Sequence, residues 1–383
     1  MKLGVDVFLD SFEKDFSGQK LGLLTNITGV NKQLNSTIDL MYNSDLLNLH
    51  CLFSPEHGIR GNANEGEHLD STVDEKTGLP VYSLYGEVRE PTAEMLDGLD
   101  VVIFDLQDIG SRYYTFIYSM ANMMKACAKY NVKFVVLDRP NPINGFQVEG
   151  NIVEDGFTSF VGLYPIPVRH GMTVGELANY FNEEYSIGCS LDVIQMQDWE
   201  RKYYYDEMDL CWVAPTPNVT QIDMCVLYPG TCLIEGTNVS EGRGTTKPFE
   251  YVGAPFINAD ELTNAFNNLE IPGVKARPVF FTPHYQKFKG EPCAGVQLHV
   301  LDREKFNSFY TGVKLLEIIY NLYPNDIEFI KSLDDSQFYF LDLLAGTDQL
   351  RHALLVGKAD DWLNETKPEL ERFIQKRDKY LMY

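Results

Sequence analysis

A chain of 383 residues, 44% hydrophobic and 23% charged, has the balance of a globular protein and the length for more than one core. Its formal net charge of −23 excludes a polyanion-binding surface, which needs Lys and Arg lined along a groove, so nucleic acid is not an expected partner. A small anionic substrate stays compatible with that charge if a few arginines are concentrated locally.

No apolar run approaches the roughly 18 residues that span a bilayer, so no membrane insertion is expected. The start, Met1-Lys2-Leu3-Gly4-Val5-Asp6, has no charged region followed by an apolar one. The chain therefore reads as cytoplasmic, or as exported with its leader outside this sequence. Seven cysteines without CxxC spacing form neither a disulfide framework nor a zinc ribbon, and read as small buried hydrophobes.

In chain order, Leu21–Thr25, Leu49–Phe53, Val101–Asp105 and Phe134–Asp138 are short runs apolar on both faces. That pattern predicts parallel strands covered by helices on each side, an α/β fold. Tyr113, Ile117, Met120, Met124 and Cys127 recur at helical spacing, which predicts a helix near 112–130. Thr173 and Glu176 form a capping box that opens a second helix over 173–186. After residue 200 the periodicity fades through Tyr203–Tyr205 and Ala214–Asn218 into a glycine-rich stretch at Glu235–Thr246. A smaller α+β unit follows, with an alternating strand at Val296–Val300 and helices near 305–322 and 367–382, the last opened by Pro368. The expected division is 1–250 and 251–383.

In open α/β sheets, ligands bind beyond the carboxyl ends of the strands. That rule gathers Thr25-Asn26, Glu56-His57, Asp105–Asp108 and Asp138–Asn141 around one crevice. Within Ser54-Pro55-Glu56-His57-Gly58, a carboxylate and an imidazole leave a strand end together, which suits Glu56 to general acid or base work. Asp105, Gln107 and Asn141 are candidate ligand contacts. Asp108 reads as the cap of the following helix. Arg112 at that helix start opposes the local dipole, and should answer a carboxylate. Arg139 sits in a rigid Asp-Arg-Pro-Asn-Pro turn, and Arg169-His170 precede the capped helix. The glycine-rich stretch lacks both GxxxxGK[ST] and a complete GxGxxG. It reads as a loop presenting Glu235, Asn238, Glu241 and Arg243 to a polar ligand. Scattered His and Asp residues with no HExxH or HxH spacing predict no metal site.

The segments Gly22–Val30, Ser54–Gly61, Gly78–Gly86, Asp105–Arg112, Leu137–Pro142, Arg169–Thr173 and Glu235–Thr246 occur in one order. Together they resemble the exo-β-N-acetylmuramidase family of glycoside hydrolases. The resemblance runs from about residue 3 to 255, and more loosely to the end. It implies a Rossmann-like catalytic domain, a C-terminal auxiliary domain and a cleft between them. It also implies release of N-acetylmuramic acid from the non-reducing end of peptidoglycan fragments during bacterial cell-wall recycling, with no cofactor. The glutamate of the family's Ser-Pro-Glu-His-Gly motif falls on Glu56, beside His57.

Glycosidic cleavage commonly needs an acid for the leaving oxygen and a base or nucleophile across the ring. Glu56 suits the acid, and Glu241 and Glu235 are the candidate partners. The sugar's own 2-acetamido group is the alternative. The lactyl carboxylate of muramic acid calls for a fixed guanidinium. Arg112, Arg139, Arg169 and Arg243 are the candidates, with one of the first three expected. The competing class is a non-catalytic binding protein for muropeptides or other sugars.

Overall fold

A computed structural model of the chain describes residues 1–55, 58–61, 72–84, 86, 89–332 and 338–383. The expected strands form as β1 (Lys20–Thr25), β2 (Asn48–Ser54), β5 (Val101–Asp105) and β6 (Lys133–Leu137). They are joined by β3 (Thr72–Val73), β4 (Pro80–Ser83) and β7 (Leu191–Ile194) in one sheet of order β3-β4-β2-β1-β5-β6-β7. All pairings are parallel except that of β3 with β4. Alternate residues feed two separate cores: Val102, Phe104, Phe134 and Val136 one, Val101, Ile103, Val135 and Leu137 the other. A strand buried on both sides has no polar face, which is why these runs read as continuously apolar.

The second of these cores is closed by the N-terminal segment through Leu3, Val5, Phe8 and Phe16. The first is covered by helices Phe116–Tyr130 and Val174–Glu184. The Thr173–Glu176 capping box is present as expected. The helix expected from 112 begins at Phe116 instead, and no side chain caps it. Asp108 accepts the Gly110 N–H at 2.6 Å, two residues on, so it shapes a turn and caps nothing.

A second sheet of β8 (Tyr251–Ala254), β9 (Val274–Phe281) and β10 (Cys293–Val300) runs in the order β8-β10-β9, all antiparallel. β9 carries Pro278 in its interior, which is tolerated because β9 is an edge strand whose outer side needs no ladder donor. Helix Ala259–Asn267 packs against β9 and β10. Ser308–Leu322 and Lys367–Arg377 form within the ranges expected, with Pro368 in the first turn of the latter. Among the described residues no helix is long and apolar enough to cross a membrane.

Among the helices not expected from the sequence, one carries helix-breaking residues. Ile222–Thr231 forms despite Pro229 in its last turn and lies against Ser308–Leu322. The two cross at glycines: a Cβ on Gly312 would sit 2.2 Å from the Gly230 carbonyl oxygen. Backbone contact that close cannot relax by rotating a side chain. Gly312→Ala is therefore expected to cost about 3 kcal/mol, the upper part of the overpacking range. Urea unfolding should show a lower midpoint at unchanged slope.

Candidate active site

Beyond the carboxyl ends of β1, β5 and β6 the expected crevice is filled. Asp105, fully buried, accepts Arg139 Nε at 2.6 Å and Nη2 at 2.9 Å, and the Thr37 hydroxyl at 2.6 Å. Arg139 also donates to the Val30 carbonyl. Gln107 is buried, its amide donating to the Pro140 and Asp108 carbonyls. Asn141 bonds the Met172 carbonyl and the Ile143 N–H. The cavity at this spot, between Thr28, Gln107, Arg139 and Tyr205, holds only about 10 Å³. A sugar ring has no room there.

Asp138 is part of the same closure. Its carboxylate accepts the Arg139 and Gly175 N–H groups, the Thr173 hydroxyl and, at 2.7 Å, the Tyr383 hydroxyl. Burial pushes its pKa up to about 7, against the pull of the Tyr383 hydrogen bond and with a further push from Glu176. Glu176, expected only as a capping residue, also pairs with Arg201 and accepts the Met382 N–H.

The three arginines expected to compete for the lactyl group are all buried and committed. Among the described residues Arg112 meets no carboxylate: it donates to the carbonyls of Asn151, Ile166, Leu344 and Ala345 at 2.7–3.0 Å. Arg139 forks onto Asp105, as above. Arg169 pairs with Glu149 at 2.6 Å and donates to the Ile143 carbonyl. To read a ligand carboxylate, as expected of one of them, each would first have to abandon a buried partner. His170 is fully buried; its Nδ1 accepts the Met172 N–H, which leaves the ring proton on Nε2, 3.5 Å from Asp108. Asn238 is likewise diverted: its amide clips the Asp326 carbonyl and the Glu328 N–H.

Open space lies where the loop after β5 meets the glycine-rich loop. One cavity of about 230 Å³ runs between Tyr113–Phe116, Tyr228 and Phe340. A second, of about 480 Å³, lies among Arg89, Phe160, Lys287, Lys331 and Leu343. Glu235 and Arg243 line both, and Glu241 lines the larger. Arg243 Nη2 is 3.1 Å from Glu235, and its Nε is 3.5 Å from Glu241. Lys287 Nζ is 3.0 Å from Glu241 and also donates to the carbonyls of Ile234, Glu235 and Val239 at 2.9–3.3 Å.

The backbone explains the placement. Gly242 and Gly244 flank Arg243 at φ +81° and +77°, and a Cβ on either would lie within 2.8 Å of a carbonyl oxygen. Lys287 sits between Gln286 and Phe288, both in the left-handed region at φ 65° and 55°. Phe249, at φ 61°, lies under Arg243, whose guanidinium is 5.3 Å from the ring centre. Three non-glycine residues in that region cluster at this site, where strain is commonly stored.

Burial raises the pKa of Glu235; Arg243 opposes that rise and Glu241 adds to it. Glu235 also accepts from the Cys232 thiol at 3.6 Å. Lys287, Arg89 and Lys331 were not found from sequence. Lys287 answers mostly main-chain carbonyls, which leave no trace in a motif. Arg89 and Lys331 are rim cations over aromatic rings, 4.4 Å from Phe160 and 3.9 Å from Tyr339.

Glu56 and His57 lie outside the described residues. Their chain neighbours line a third cavity of about 370 Å³ with Ser54, Gly58, Arg60, Asp74 and Ser83. Arg60 is held there by Asp74. Ser54 is paired with Ser83 at the carboxyl ends of β2 and β4.

The Asp138 cluster makes a pH prediction. A carboxyl whose folded pKa is raised contributes stability below its unfolded pKa and loses it as pH rises through the folded value. Tyr383→Phe removes a hydrogen bond to the charged form and raises that pKa further. Its cost should therefore be about 1 kcal/mol larger at about pH 8 than at about pH 5, since bonds to charged groups are the stronger ones. Denaturant unfolding at the two pH values checks the sign.

Both halves of the chain match known family models. The N-terminal model of the exo-beta-N-acetylmuramidase NamZ family matches residues 21–223, and its C-terminal model residues 226–383. The peptidoglycan beta-N-acetylmuramidase NamZ of Bacillus subtilis (strain 168) is 46% identical over 384 residues, covering 100% of this chain and 91% of that protein. Two crystal structures of DUF1343 family proteins from Bacteroides fragilis NCTC 9343 also match over 100% of this chain and 98% of theirs. One has a TM-score of 0.89 at 37% identity, the other 0.76 at 32%.

Proposed function

The chain belongs to the exo-β-N-acetylmuramidase family, and from that premise we propose how its residues divide the work. The protein is a glycoside hydrolase that releases N-acetylmuramic acid from the non-reducing end of peptidoglycan fragments. The observation that carries this is the end-to-end match, both family models and a 46% identical peptidoglycan β-N-acetylmuramidase spanning the whole chain.

Glu56 is the general acid for the leaving oxygen. Its support is that it falls in the Ser-Pro-Glu-His-Gly segment of the family, directly after β2, which ends at Ser54. His57 serves beside it as a substrate contact. The muramic acid ring occupies the cavity between the loop after β5 and the glycine-rich loop, whose volume and mixed polar lining suit a monosaccharide. Glu241 is the second carboxylate. It is better fitted than Glu235 to act as base or nucleophile, because it lies against both Arg243 and Lys287, whereas burial raises the pKa of Glu235 against the opposing charge of Arg243. The lactyl carboxylate is read by Arg243, the arginine that lines both cavities at the junction.

Glu56→Gln tests the acid role. On a muramic acid–glucosamine disaccharide, kcat should fall about 10²- to 10⁴-fold, the usual contribution of a positioned acid. On a nitrophenyl N-acetylmuraminide, whose leaving group needs no proton, the loss should be far smaller. Equal losses on both substrates would reassign Glu56 to the nucleophile, and no loss on either would remove it from the chemistry.

A further inference from the structure

The 282–292 connection between β9 and β10 is tied down on several sides. Its base is shut by the Gly290 N–H, which donates to the Pro283 carbonyl at 2.8 Å. The His284 N–H donates to the Gly244 carbonyl, also at 2.8 Å, and so pins the connection to the glycine-rich loop. The Tyr285 hydroxyl adds a second tie, to Asn218 at 2.6 Å. Gln286 and Phe288 both have positive φ, 65° and 55°, a conformation that persists only where the surroundings hold it. Between them stands Lys287, with 21% of its side chain exposed.

What Lys287 meets lies on one short segment. Its Nζ donates to the carbonyls of Ile234, Glu235 and Val239 at 3.2, 3.3 and 2.9 Å, and to the Glu241 carboxylate at 3.0 Å. An ammonium has three protons. These acceptors use all of them, so Lys287 has no donor to offer a sugar, although it lines the larger cavity. Oxygens that converge on one point repel one another unless a cation sits among them. The ammonium therefore fixes the curve of 234–241, and with it Glu241. One oxygen of that carboxylate lies against Lys287 and the other against Arg243 Nε, at 3.5 Å.

We propose that Lys287 is a positioning residue: it holds the Glu241 carboxylate at the cavity wall in the orientation the reaction uses, and touches neither the sugar nor the reacting atoms. The proposal rests on the reading of Glu241 as the second carboxylate. The cage of carbonyls specifies a position as well as a charge. A guanidinium is planar, with its donors in a fixed fork, so an arginine at 287 could not serve those carbonyls and Glu241 from one point. Sliding of the connection could not compensate, because His284 and Tyr285 pin it. Without Lys287 the buried Glu241 turns toward Arg243 or toward the open cavity, and either movement misplaces it.

Lys287→Met keeps the aliphatic stem and removes the ammonium. On the muramic acid–glucosamine disaccharide its kcat should fall about 10²-fold, the cost of misplacing a reacting group by about 1 Å. KM should change little, because no contact to the sugar is lost. Thermal unfolding of the variant separates that loss from a failure to fold. In a Glu241→Gln background the same substitution should have little further effect, since a residue that acts through Glu241 then has nothing left to position. Lys287→Arg keeps the charge and should still lose most of the turnover, so it decides the question if Lys287→Met does not fold. Three results overturn the proposal and leave Glu241 in place: full turnover in Lys287→Arg or in a folded Lys287→Met, a rise in KM in place of the fall in kcat, or losses that multiply in the double variant. If Glu241→Gln alone turns over at the wild-type rate, the reading of Glu241 falls and the proposal with it.

Discussion

The cleft depends on Arg112. Its guanidinium is fully buried, meets no carboxylate among the described residues and donates to four main-chain carbonyls. Two of these, Asn151 and Ile166, belong to the excursion that follows β6; the other two, Leu344 and Ala345, end helix Phe340–Ala345 in the C-terminal half. Burial lowers its pKa, but a guanidinium stays charged in any protein interior. The cation can stay enclosed only while all four carbonyls converge on it. That requirement holds Tyr113–Phe116 opposite Phe340 and Leu344, the facing walls of the smaller cavity. A carboxylate partner would have neutralised Arg112 locally and joined nothing; carbonyls from two halves of the chain make it a tie.

The same economy governs the arginines around the sheet. Asp105–Arg139, Glu149–Arg169 and Glu176–Arg201 are each buried at both ends. Breaking such a pair leaves a bare charge in a medium that cannot solvate it, at a cost of about 3–5 kcal/mol. These residues therefore shape the carboxyl edge of the sheet, and a ligand could engage one only by breaking its pair. The consequence is spatial. With β1, β5 and β6 sealed at that edge, the accessible volume lies over β2 and β4 and at the junction with the glycine-rich loop.

This explains what could be read from the sequence and what could not. The central strands were legible because burial on both faces leaves no polar position in Leu21–Leu24 or Val101–Phe104. The Thr173–Glu176 box was legible because its partners are three residues apart. Helix Ile222–Thr231 was not, since Pro229 and Gly230 read locally as breakers, and what stabilises the helix is a backbone contact with Gly312. The glutamates and Arg243 of the glycine-rich loop could be singled out as polar groups among glycines. The fate of Arg112, Arg139 and Arg169 could not be, because an arginine that answers carbonyls and one that answers a substrate look alike in one dimension. Lys287 was invisible for the same reason, its partners being main-chain atoms about 50 residues away in sequence.

The distinction between sealed and unsealed charges also bears on how an acidic protein handles an acidic sugar. A chain with formal net charge −23 repels an anion at long range, though screening confines that repulsion to about 8 Å at physiological salt. Selectivity must then come from short range, inside the cavity, where the dielectric is lower and partners are few. The quartet of Glu235, Glu241, Arg243 and Lys287 has no net charge when both carboxyls are ionised, so it neither attracts nor repels a sugar until contacts are made. Strained backbone at Phe249, Gln286 and Phe288 holds the quartet's cations at their separation, and glycines at 242 and 244 let Arg243 reach inward. Lys287 is anchored by the main-chain carbonyls of Ile234, Glu235 and Val239.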